Sequence, residues 1–210
     1  MEKHIYLVRH GQSDSNADGI FRGRESMLTE AGQSQAKEVA ERVARIDVEA
    51  LVASTFPRAL DTASAIALKT GLVIEESDLF VEWAEPSHMH NRHKDEPEMV
   101  AVLDRMFDRD TDPSHRHHDE ETFGELVERA KECLAFLEAH PASRIAVVTH
   151  GAFLRVLFGV IVYRERFTPE LFGFLFRQLV TQNTGVTYLR NTDPRYGWQI
   201  VTWNDSSHLG

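Results

Sequence analysis

Two short apolar runs constrain this chain more than any bulk property. Ile5-Tyr6-Leu7-Val8 leads into Arg9-His10-Gly11, and Ile145-Ala146-Val147-Val148 leads into Thr149-His150-Gly151. Each reads as a buried strand that a glycine then breaks. Ala50 to Ala53, Leu72-Val73-Ile74, Val186 to Leu189 and Trp198 to Trp203 are further predicted strands. Helical spacing fills the gaps between them. Ser13 caps a short helix with Asn16 three residues on, and Thr29 caps a longer one to about Ile46, with Ala36, Val39, Ala40 and Val43 on one face. Pro57 opens a helix that Gly71 ends. The stripe Phe123, Leu126, Val127, Ala130, Leu134 and Leu137 predicts a helix over 120–140. Two more follow, through Phe153 to Leu157 and from Glu170 to Gln178. Strands alternating with helices imply an α/β three-layer sandwich, a mostly parallel sheet with helices on both faces.

That layout puts particular residues at the sheet edge where open α/β folds place ligands. Arg9, His10 and His150 lie just past strand ends, and Arg58 lies in the first turn of a helix that follows a strand. A guanidinium fork beside an imidazole suits an oxyanion such as phosphate. Free N–H groups at a helix start favour the same partner. These groups can converge on one crevice.

Bulk properties narrow the classes. A chain of 210 residues with 42% hydrophobic and 27% charged content is globular, and its length fits one domain over 1–210. A net charge of −10 argues against a nucleic-acid or anionic-membrane partner. A small anionic substrate then needs a local basic pocket. The single cysteine, Cys133, allows no intrachain disulfide, and no apolar run is long enough to span a bilayer. The expectation is a cytoplasmic protein.

Residues 83–118 change character. His88, His90, His93, His115, His117 and His118 fall here among Asp, Glu, Arg and Pro, with one predicted helix from about Pro97 to Phe107. No pair of histidines has metal-ligand spacing on a helix, so the expectation is a polar, mobile, cap-like insertion rather than a metal site. Together with the Phe-rich segment Phe172 to Phe176, it is placed to form the mouth of the crevice. The tail from Asn204 to Gly210 is polar and expected to fray.

From Ile5 to about Leu189 the chain resembles the histidine phosphatase superfamily, which includes the cofactor-dependent phosphoglycerate mutases. The resemblance rests on Leu7-Val8-Arg9-His10-Gly11-Gln12-Ser13 with Asn16, and on Leu28-Thr29-Glu30-Ala31-Gly32 with Gln35-Ala36. It rests equally on Ser54 with Pro57-Arg58-Ala59 and Thr62-Ala63, and on Val148-Thr149-His150-Gly151. It implies a phosphoglycerate mutase-like fold and a phosphomonoester hydrolase that acts through a phosphohistidine on a small phosphorylated metabolite. His10 would be the nucleophile, and Arg9, Arg58 and His150 would hold the phosphoryl oxygens. Asn16 and the loop residues Arg22 and Gly23 would be further phosphate ligands. The general acid would be Glu82, with Glu85 as the other candidate. Arginines and two histidines supply the positive charge that a metal would bring, so no metal or other cofactor is expected. The mutases' Glu-Arg-His-Tyr-Gly run is absent, since the chain reads Glu82-Trp83-Ala84-Glu85-Pro86. A mutase-type phosphotransferase and a non-catalytic phospho-ligand binder are the alternatives.

Overall fold

A computed structural model describes residues 2–107, 112–116 and 118–210. The sheet has six strands in the order β3-β2-β4-β1-β5-β6. They are β1 (Lys3–Arg9), β2 (Ala50–Ala53), β3 (Ile74–Glu76), β4 (Arg144–Thr149), β5 (Val186–Asn191) and β6 (Gln199–Asp205). The first four in chain order run parallel, while β5 and β6 are antiparallel additions.

Helices cover both faces. On one, α2 (Glu30–Val43) and α3 (Pro57–Thr70) bury Val39, Val43, Ala63 and Ile66 against Val8, Leu51, Ala146 and Val148. On the other, α5 (Phe123–Ala139), α6 (Gly151–Tyr163) and α7 (Pro169–Gln178) pack Leu126, Leu137, Phe153 and Phe172 against Ile5, Leu7 and Val147. The apolar tetrads therefore serve both faces at once, which is why they read as continuous rather than alternating. Two short helices complete the set, α1 (Asp14–Asp18) and α4 (Pro97–Met106).

Four expectations need correction. The third strand starts two residues later than Leu72, at Ile74, because Val73 is 88% exposed and pairing begins at Leu51–Ile74. Helix α5 starts at Phe123 rather than Glu120, because Thr122 caps it in a reciprocal bond with Glu125, a device that stabilises a helix by about 1 kcal/mol. The tail is not frayed. Asn204 and Asp205 belong to β6, Arg42 of α2 holds Asp205 at 2.5 Å, and His208 Nε2 contacts Thr184 Oγ1. The insertion is not simply polar either: Met89, Met99 and Val102 form a small core of their own with Phe21, Leu103 and Met106. The insertion's residues 108–111 and His117 lie outside the described residues.

Candidate active site

The register of β1 on β4 pairs Arg9 with Thr149, so His10 and His150 leave the sheet side by side. Their ring centroids are 5.0 Å apart. The loop carrying His10 is set by a close backbone approach. A Cβ on Gly11 would strike the Gly32 carbonyl, and a Cβ on Gly32 would strike the Gln12 carbonyl. Only glycines let the first turn of α2 press this loop into place.

His10 is 2% exposed. Its Nδ1 lies 2.7 Å from the Gly11 carbonyl, which can only accept, so Nδ1 carries a proton. Arg58 Nε donates to Nε2 at 3.2 Å, which marks Nε2 as the lone-pair atom. Burial, then Arg58 and Arg9, push the His10 pKa well below the ordinary imidazole range, so the ring is neutral. The result is an imidazole with a fixed tautomer and a nucleophilic Nε2.

His150 is fully buried at the start of α6, and its pKa is depressed by burial and by Arg58. Its Nε2 lies 2.7 Å from Ser54 Oγ. That oxygen also accepts Phe56 N–H, so the hydroxyl proton is available for Nε2. The imidazole proton then sits on Nδ1, which is buried with no partner among the described residues. Arg9 Nε is in the same condition, while Nη1 of Arg9 donates to the Thr181 carbonyl at 2.5 Å. Burial holds the Arg9 pKa down to about 10, with Glu82 opposing and Arg155 and Arg58 adding to the fall. Arg58, 6% exposed, enters from the first turn of α3, stacks over Phe56 and donates Nη1 to the Gly23 carbonyl at 2.8 Å. Buried donors without acceptors are costly unless an anion completes them.

With His150 packed against His10 behind them, Arg9, His10 and Arg58 line the floor of a cavity of about 390 Å³. Asn16 lines it, with its Oδ1 accepting from Asn183 Nδ2 at 2.9 Å, and Asn183 also donates to the His10 carbonyl. Glu82 reaches the start of α6: Oε1 accepts Trp83 and Phe153 N–H, and Oε2 accepts Ala152 N–H alone. Glu85 lines the same cavity. Arg22 does too, but its guanidinium is clamped on Asp18 at 2.7 and 2.5 Å. Trp83, Lys94 and Leu103 of the insertion and Phe176 of the Phe-rich helix line the cavity, whereas Phe172 is buried in the core. Of the insertion's histidines, His93 lies against Gly19, His90 lies against Gly23, and His88 packs on His118 with the rings tilted by 53°. Among the described residues no group of three or more His, Cys, Asp or Glu side chains is placed to hold a metal ion.

Sequence reasoning passed over three site residues. Arg155 belongs to none of the sequence motifs. It is a cavity residue whose Nε and Nη1 donate to the Leu179 and Gly151 carbonyls. A lone arginine in an otherwise apolar helix, one turn after Gly151, was the available signal. Ser54 was seen as a motif residue without a task. Asn183 lies in a loop and left no signal.

The family model described as histidine phosphatase superfamily (branch 1) matches residues 5–206. A metal-independent phosphoserine phosphatase of Arabidopsis thaliana is 32% identical, over 98% of this chain and 82% of that protein. A probable phosphoglycerate mutase of Cronobacter sakazakii is 30% identical, over 98% and 94%. Among solved structures, a mycobacterial glucosyl-3-phosphoglycerate phosphatase superposes with a TM-score of 0.78 at 21% identity, covering 97% of this chain and all of that one (100%). A phosphoserine phosphatase of Entamoeba histolytica gives 0.78 at 19% identity, covering 99% and 100%. The family model spans nearly the whole chain, and the chain belongs to the histidine phosphatase superfamily.

Proposed function

We propose that this protein hydrolyses a small phosphorylated metabolite in two steps through phosphohistidine at His10, in a reducing, cytoplasmic setting. The observation that carries the reading is the fixed His10 tautomer, with its Nε2 lone pair at the floor of a cavity. A passive phosphate binder has no need of a neutral, aligned imidazole. Nε2 attacks phosphorus, the ester P–O bond breaks, and the leaving oxygen takes a proton from Glu82. Of the two Glu82 oxygens, Oε2 has only one N–H donor and is the one free to carry that proton. Arg9, Arg58 and the His150 Nδ1–H offset charge on the transferring oxygens. Water then attacks phosphorus, gives its proton to Glu82 and releases phosphate as the P–N bond breaks. The arginines supply the charge neutralisation that a divalent ion gives in other phosphoryl transfers.

Quenching with labelled substrate tests this. Wild type is expected to trap an acid-labile, base-stable phosphoenzyme, and His10→Ala none. Glu82→Gln is expected to slow alkyl phosphates by about 10²–10⁴-fold and an activated aryl phosphate far less. Label on a serine, or equal loss on both ester types, would refute the assignment of His10 or of Glu82 respectively. Label that passes to a second alcohol rather than to water would favour the mutase alternative.

A further inference from the structure

A carboxylate repels phosphate, so each carboxylate in the wall of this cavity needs a reason to be there. Glu82 has one in the amides at the start of α6. Glu85 is held more weakly, by the Gly23 amide and its own. Its side chain is only 13% exposed, and Oε1 accepts a 3.2 Å bond from Gly23 N–H. The nearest basic nitrogen in ion-pair range among the described residues is His90 Nε2, 3.8 Å away on the partly exposed rim. Burial raises the Glu85 pKa, its own backbone amide pulls it down, Glu82 adds to the rise, and His90 and Arg58 pull against it.

The charges around the cavity show what this group awaits. Buried Arg58 and half-buried Arg9 and Arg155 line the cavity with Glu82 and Glu85. Arg22 is committed to Asp18, and exposed Lys94 is screened by solvent. With Glu82 protonated to donate, the three arginines balance a bound phosphate dianion and an ionised Glu85 and leave no spare cation for a further substrate anion. Such an anion meets Glu85 as a like charge, whereas an ammonium meets it as a partner. The cavity volume leaves room for such a group beyond the phosphoryl site.

We propose that Glu85 reads a primary ammonium on the substrate, making this enzyme selective for amine-bearing phosphomonoesters over those whose only further charge is an anion. A substrate whose further group is an anion is repelled by Glu85. An amine-bearing one donates to the carboxylate directly.

The inference rests on the phosphatase reading, which p-nitrophenyl phosphate tests separately because it carries no amine. The full chain would be assayed with 2-aminoethyl, 2-hydroxyethyl and carboxymethyl phosphate, near-isosteric esters that end in ammonium, hydroxyl and carboxylate. The expected order of kcat/KM is ammonium, hydroxyl, carboxylate, with about 10- to 100-fold between the extremes, carried mainly by KM. Leaving groups differ among the three, so the decisive quantity is how that span changes on mutation. Glu85→Gln keeps the shape and removes the charge, and should shrink the span to within about threefold. Glu85→Ala should do the same and serves if the glutamine variant does not fold. An unchanged span in both variants, or carboxymethyl phosphate as the best substrate, would overturn the proposal. A loss that instead follows leaving-group basicity would make Glu85 the proton donor and also overturn it. If wild type fails on p-nitrophenyl phosphate as well, the phosphatase reading falls and takes this inference with it.

Discussion

The floor of the cavity and its mouth are built by different means. On the floor, Arg9, His10 and His150 follow directly from paired strands, and Arg58 sits in the first turn of a helix. A one-residue slip in β1 or β4 would turn every side chain to the opposite face, so the fold fixes these positions. The mouth is held by a few local contacts. Ile20 bridges His93, Gly23 touches both Arg58 and Glu85, and the methionine cluster packs beneath Phe21. A rigid floor suits the demands of phosphoryl transfer, where small displacements cost rate. A mouth built from loops can change its lining without disturbing that floor.

Arg58 joins the two regions, and replacing it is expected to have the largest effect among the tests of this contrast. Its Nε fixes the His10 lone pair and its Nη1 holds the Gly23 carbonyl. Arg58→Ala should lower kcat by about 10²–10³-fold, the usual cost of losing a transition-state donor. It should also speed amide exchange over residues 20–24. A rate loss without faster exchange would show that the mouth is held independently.

Ser54 lies behind the floor, and its removal should cost about 10-fold. In Ser54→Ala the His150 proton is free to move to Nε2, which turns a lone pair toward the phosphoryl group. Burial and Arg58 hold the His150 pKa well below the ordinary imidazole range, and both remain in the variant. Acid therefore does not recharge the ring, and the variant-to-wild-type ratio of kcat/KM should stay flat as pH falls from about 7.5 to 5.5. Ser54→Thr, which keeps the hydroxyl, should recover the wild-type rate. An unchanged rate in Ser54→Ala would leave Ser54 with a packing role only.

The same contrast explains what could be read from the sequence. The floor was legible because short apolar runs ending in His-Gly encode both the strand and its edge. The start of α3 was legible because Pro57 and Gly71 mark the helix ends. Ser54, Arg155 and Asn183 were not, because their tasks depend on partners far away in the chain: His150, Leu179 and Asn16. β3 was misplaced because a three-residue edge strand carries too few residues for periodicity to locate it. The insertion read as polar because its buried Met89, Met99 and Val102 are scattered among charged residues.

Arg22 gives the smallest expected effect and the sharpest contrast with Arg58. Both are arginines lining one cavity, and position alone makes both candidate phosphate ligands. Arg58 is buried, and its Nε meets the nucleophile. Arg22 is partly exposed and its guanidinium is occupied by Asp18, four residues back, in a two-pronged pair with Asp14 nearby. An exposed pair of this kind contributes little, so breaking it should barely change stability. For Arg22 to hold phosphate it must leave Asp18, and the gain from the new pair is offset by the loss of the old one. Arg22→Ala should therefore lower kcat/KM by only about 2- to 5-fold. Asp18→Asn frees the guanidinium for the cavity and should lower KM instead. A loss of about 100-fold in Arg22→Ala would show that substrate draws Arg22 off Asp18, so that the mouth takes part in phosphoryl transfer. The division between a catalytic floor and a substrate-reading mouth would then have to be redrawn through the loop that carries Gly23.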